Sequence, residues 1–363
     1  MGNLLWGNGI TQPLESPRNN QNMTVLFSRI CSVSHGLGKS SQSIGTSGHV
    51  QRWVTGGSRM LLWSLGMTTV IAVMGEGRAL ERSSEQVTVP HLEVVDRVAQ
   101  GEQRSPEETR ELLERVIREA QAAQARGDYD RAIAIWQQLI EITPDVGALH
   151  NNLGNVYRAA GRYPEAITHL RRAAELAPNS ATPHSNLGIA YARTGQLDQA
   201  ITSFQRAIQL RPDFPNAHVN LCAALNERKR HQEAEVACRR ALELDNTLAE
   251  GHNNLGNALA SQGQHSRALT AYQASLRLDP DDADTYYNQA RSYSALSQWQ
   301  NAERSYQRAL QLNPQMASAH NNLGVVYARQ NRTNDAIRHF RAALAINPNH
   351  TNARRNLDRA LGR

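Results

Sequence analysis

The chain has 363 residues, a formal net charge of +6 and only 5% aromatic residues. Its basic residues are almost all Arg, with Lys39 and Lys229 the two lysines, and no basic run is interleaved with aromatics, which argues against a nucleic-acid surface. Three cysteines, Cys31, Cys222 and Cys238, are too few and wrongly spaced for a zinc site or a disulfide scaffold.

Residues 1–59 lack hydrophobic periodicity, are rich in Ser, Gly and Asn, and carry one acid, Glu15. They read as a disordered or mis-assigned extension. Residues 60–75 are apolar and uncharged, preceded by Arg52 and Arg59 and followed by Glu76. A membrane-spanning helix needs ~20 residues, so this shorter run reads as the h-region of a secretory signal or a short membrane anchor. Its position within the chain has two accounts: the true start lies nearer Met60, or residues 1–75 together form a targeting segment. The expected compartment is exported (periplasmic or secreted) or membrane-anchored, with the cytoplasm as the alternative. Residues 76–104 are polar, contain Pro90 and read as a linker.

At Ser105-Pro106-Glu107-Glu108 the sequence has a helix start, with Ser as N-cap, Pro at the first helical position and an acid three residues after the cap. The helix should run to about Ala125 and break at Gly127-Asp128, with a second beginning near Tyr129. Then a period emerges. His-Asn-Asn-Leu-Gly at His150 to Gly154 returns at His252 to Gly256 and at His320 to Gly324. An Asn recurs at Asn152, Asn186, Asn220, Asn254, Asn288, Asn322 and Asn356, each step being 34 residues. Seven units follow, at about 113–146, 147–180, 181–214, 215–248, 249–282, 283–316 and 317–350, with a closing helix at 351–362. The first unit is atypical, since Arg118 and Glu119 stand where other units carry Asn and Leu, as expected of a solvent-facing cap.

Each unit reads as two amphipathic helices. In the second, His150, Leu153, Gly154 and Tyr157 fall on one helix face, Gly161 ends that helix, and Ala166, Leu170 and Ala173 mark another that stops before Pro178. Small residues at Gly154 and Ala166 allow close helix approach. These landmarks resemble the tetratricopeptide repeat family. They comprise the small residue of the first helix (Gly154, Gly188, Cys222, Gly256, Ala290, Gly324), the Ala of the second (Ala132 to Ala336 at the same period) and the closing Pro. Departures are Asn246 at the Pro and Lys229, Ser297 and Asn331 at the inter-helix Gly, expected to loosen individual turns. The resemblance implies an all-α, right-handed superhelical solenoid whose first helices line a concave groove that binds peptides or proteins.

Asn152 sits about 200° around the helix from His150, away from the packed side, and mid-helix Asn is a poorer helix former than Ala by ~0.5 kcal/mol. Two compatible readings follow: the amides bond neighbouring units and set the stack, or they pair with the backbone of an extended peptide. The series is similar to the repeat region of the O-linked N-acetylglucosamine transferases, which implies backbone recognition. It does not imply their activity, because the residues from His150 onwards are repeat and closing helix, with no catalytic residues; no enzyme, cofactor or metal is expected. Asn152, Asn186, Asn220, Asn254, Asn288 and Asn322 are the candidate groove amides, with Tyr287, Arg291 and Arg329 adding selectivity. Arg158, Arg193 and Arg359 add positive charge to the groove and Glu227, Glu250 and Asp284 negative, but the lysines of a chaperone-binding carboxylate clamp are missing. His150, His184, His218, His252 and His320 read as packing residues, since neighbouring units stand roughly 8 to 10 Å apart, too far to share a metal. Cys222 and Cys238 are expected to be small buried hydrophobes, with a disulfide as the minor alternative should the chain be exported. The expected function is a non-enzymatic scaffold for a protein or peptide partner, the alternative being an accessory or assembly subunit of an exported or membrane-associated enzyme complex. Oligomeric state is left open.

Overall fold

The structure, a computed structural model, describes residues 105–362. The extension, the apolar segment at 60–75 and the linker lie outside the described residues. Residues 112–362 belong to one compact unit, and residues 105–111 to another.

The described residues hold fifteen helices and no strand. They are α1 (Pro106–Ala125), α2 (Tyr129–Ile142), α3 (Gly147–Ala159), α4 (Tyr163–Leu176), α5 (Ala181–Arg193), α6 (Leu197–Leu210), α7 (Pro215–Glu227) and α8 (His231–Leu244). There follow α9 (Ala249–Ser261), α10 (His265–Leu278), α11 (Ala283–Ala295), α12 (Trp299–Leu312), α13 (Ala317–Arg329), α14 (Thr333–Ile346) and α15 (Thr351–Ala360). The capping box forms as expected: the Glu108 amide donates to Ser105 Oγ at 3.2 Å while the Ser105 amide donates to Glu108 Oε2 at 2.8 Å.

Each odd helix from α3 packs most closely on the even helix after it, and each even helix then packs on the next odd one. Successive odd helices also touch, from α3 and α5 through α13 and α15, while the even helices have no comparable mutual contact. In a curved stack neighbours crowd on the inside, so the odd helices form the inner face. The approach is closest between α7 and α9.

The turn after each odd helix needs a left-handed residue. Gly161, Gly195 and Gly263 supply it at φ of 75 to 77°, but Lys229, Ser297 and Asn331 adopt the same conformation at 58 to 63°. These turns are not loosened: the bond from the Arg162 amide to the Tyr157 carbonyl at 2.8 Å recurs from Arg230 to Leu225, Gln298 to Tyr293 and Arg332 to Tyr327, each at 2.9 Å. Side-chain crowding there costs ~1 kcal/mol per turn, which packing on both flanks offsets.

The small residue of each odd helix has a specific partner. A Cβ on Gly154 would stand 2.6 Å from Leu170 Cγ, and one on Gly188 2.6 Å from Phe204 Cε1. Gly256 and Gly324 face Tyr272 and Phe340 in the same way. These large side chains are buried, so the glycine makes room for the residue that fills the joint between the two helices of a unit. Among the described residues no helix is long and apolar enough to cross a membrane.

Candidate functional site

The recurring asparagines all lie on odd helices, and none is fully exposed. Their environments divide into three kinds. Asn186 Nδ2 donates to Asn151 Oδ1 at 2.9 Å, and Asn322 Nδ2 donates to the Tyr287 hydroxyl at 3.3 Å. Asn356 on α15 does the same to Asn321 Oδ1 at 3.0 Å. Each of these bonds joins a residue to the one 35 positions earlier, on the preceding odd helix. These amides tie unit to unit.

Asn152, Asn220 and Asn288 are half-buried and make no side-chain hydrogen bond among the described residues. Asn254 is buried, its Nδ2 has no partner, and its backbone carbonyl accepts a bond from Asn226 Nδ2 at 2.9 Å. Other inner-face polar atoms are buried without a partner among the described residues: Asn155 Oδ1, Arg158 Nε and Asn253 Oδ1. Tyr287 is half-buried with the Arg291 guanidinium 5.9 Å from its ring, at the limit of a cation–π contact, while Arg291 and Arg329 are exposed.

The histidines anchor the joints between units. Nε2 of His150, His218, His252 and His320 lies 3.0 to 3.2 Å from the backbone carbonyl six residues earlier, that of Pro144, Pro212, Asn246 and Pro314 respectively. A carbonyl only accepts, so these rings carry their proton on Nε2 and leave Nδ1 as an acceptor. Because the contact is to main chain, Asn246 replaces Pro without losing it. In two units the bare Nδ1 meets a second imidazole, His150 with His169 at 3.1 Å and His320 with His339 at 3.0 Å. The ring centroids are 5.4 and 5.2 Å apart, so the nitrogens meet head-on. Such a pair holds one proton between two nitrogens, and a second would face the first. Burial foremost, and then His320, pushes His339 down to about 4. His169 is lowered by burial and then by His150.

Cys222 on α7 and Cys238 on α8 form a disulfide, with Cα atoms 5.3 Å apart. This corrects the expectation of two free buried thiols. The signal was in the period: Cys222 stands where other units have the small residue, and Cys238 where they have Leu170, Phe204, Tyr272 or Phe340, and these two places touch in every unit where the contact is glycine. Cysteine at both necessarily brings the sulfurs together.

The family model described as the cilia and flagella-associated protein 70 C-terminal domain matches residues 76–288, more than half of the chain, and a tetratricopeptide repeat model matches residues 287–351. The chain belongs to the tetratricopeptide repeat family. Proteins of this family generally mediate protein–protein interactions. Among solved structures, the array is similar to the Cut9–Hcn1 hetero-tetramer of the APC/C, with 21% identity, a TM-score of 0.58, and coverage of 67% of this chain and 48% of that one. It is also similar to a tetratricopeptide repeat protein from Parabacteroides merdae, with 17% identity, a TM-score of 0.53 and coverage of 68% and 98%. A third is pilF of Pseudomonas aeruginosa, with 19% identity, a TM-score of 0.52 and coverage of 58% and 95%. The chain thus spans about half the length of the Cut9–Hcn1 chain it matches, and at these identities the likeness is one of fold. No curated protein matches the chain.

Proposed function

We propose that the array is a non-enzymatic scaffold that binds an extended segment of a protein partner along the inner face formed by its odd helices. The observation that carries this reading is the set of amides at one register without protein partners: Asn152, Asn220, Asn288 and the buried Nδ2 of Asn254. A buried polar atom left unpaired costs ~1 to 3 kcal/mol, and an extended backbone offers both donors and acceptors at regular spacing. Similarity of the series to the repeats of the O-linked N-acetylglucosamine transferases supports backbone recognition. Asn186 and Asn322 keep neighbouring helices in register so that the remaining amides are presented together. Tyr287, Arg291 and Arg329 add side-chain selectivity at the C-terminal end of the face.

A second reading, an accessory subunit of an exported or membrane-associated enzyme complex, draws support from the disulfide, since such bonds persist in oxidising compartments. The test of the first reading is selection of a displayed library of random dodecapeptides on the oxidised chain. Enriched peptides should bind the parent, and the double variant Asn220→Ala with Asn254→Ala should lose them while keeping its helicity and melting temperature. Should melting fall sharply while the folded remainder binds as before, the amides serve the stack alone.

A further inference from the structure

Resting on that reading, we propose that the inner face selects its segment by charge, seating an acidic side chain against Arg158 and a basic one against Glu227. These two residues and Arg193 lie on one rim. Arg158 is in the last turn of α3, and Arg193 and Glu227 end α5 and α7. Arg158 and Arg193 are separated by 35 positions, the same relation that pairs Asn151 with Asn186 across neighbouring odd helices.

Arg158 is half-buried, its Nε has no partner, and no carboxylate of the described residues forms an ion pair with it. Many arginines elsewhere in the array are paired, among them Arg162 with Glu165, Arg172 with Asp145 and Glu175, Arg230 with Glu233, and Arg332 with Glu303 and Asp335, and others without an ion pair, such as Arg206, Arg277 and Arg304, are exposed. At Arg158 the neighbouring charge is Arg193, of like sign, and after burial it is the main influence lowering the guanidinium pKa. A half-buried guanidinium with no carboxylate beside it attracts an anion.

Glu227 is the counterpart. It is half-buried, has no ion pair or hydrogen bond among the described residues, and its carboxyl is raised by burial alone. A fold that holds one unpaired cation and one unpaired anion on the same rim, each at a cost, presents two sites of opposite sign at a set spacing. Arg158 and Glu227 are two units apart, ~16 to 20 Å at the usual helix separation, which an extended chain spans in about five or six residues. The partner segment should therefore carry Asp or Glu and, about five or six residues away in either chain direction, Lys or Arg.

The dodecapeptide selection tests this directly. Peptides enriched on the oxidised parent should show that acid-to-base spacing, and a synthetic peptide of the consensus should bind Arg158→Gln about tenfold more weakly, as for loss of one charge-assisted contact. Selection on Arg158→Glu should replace the acidic preference with a basic one, and selection on Glu227→Gln should erase the basic preference while keeping the acidic one. The two variants act independently, so misfolding of one leaves the other as a test, with circular dichroism as the control. Enriched peptides without the charge spacing would overturn charge selection and leave the peptide groove standing. No enrichment of any peptide would overturn both.

Discussion

Reducing the disulfide tests how the middle of the array is held. The Cys222–Cys238 bond closes a loop with a sequence separation of 16 between the helices of one unit. Loop-closure entropy for that length is ~3 kcal/mol in favour of the folded form. Both sulfurs are fully buried, and α7 and α9 approach more closely than any other pair of odd helices, so loss of the staple should also loosen the neighbouring unit. Repeats are coupled mainly to their neighbours, so part of the transition should move. The assay is urea unfolding followed by far-ultraviolet circular dichroism, with and without reductant, on protein whose thiol state is set by intact mass. With a urea slope of about 2 to 3 kcal/mol per M, reduction should lower the midpoint by ~1 M, and the double variant Cys222→Ala with Cys238→Ala should no longer respond to reductant. An unchanged midpoint on reduction would refute the reasoning, as would two free thiols after expression in an oxidising compartment.

Two further outcomes follow from the packing and the imidazole pairs. Gly188→Ala places a methyl 2.6 Å from Phe204 Cε1 in a fully buried joint, and should cost ~1 to 3 kcal/mol by overpacking; a melting temperature equal to the parent's would show that the joint yields freely. His339 is held at about 4 and His169 is also lowered, so the unfolded chain binds more protons below its own histidine pKa of about 6.5. The contribution is complete above about 6.5 and is lost as pH falls towards about 4, so melting should drop between about pH 7 and pH 5, and His339→Gln with His169→Gln should flatten that slope. A parent whose melting is flat over this range would contradict the head-on pairing.

The period of 34 residues, the helix starts and stops and the family were legible in the sequence, because each depends on spacing along one chain. The helix break at Gly127 and the capping box at Ser105 and Glu108 are local events and were readable for the same reason. The asparagines show where that legibility stops. Identical residues at identical register have different fates: Asn186 and Asn322 find an acceptor on the preceding helix, in Asn151 and Tyr287, while Asn220 and Asn288, with Ser185 and Asn253 at the equivalent earlier places, do not bond there. Which amide is tied depends on the side chain 35 positions away and on how closely two odd helices approach, and both are properties of the stack. The turns at Lys229, Ser297 and Asn331 teach the same lesson, since an unfavourable local conformation persists when packing on both sides determines it. The sequence by itself thus determined the unit and its repetition; the tertiary structure decided which polar groups are spent between units and which stay unpaired. Packing between units is set by contacts across a full repeat, beyond the range over which periodicity and propensity act.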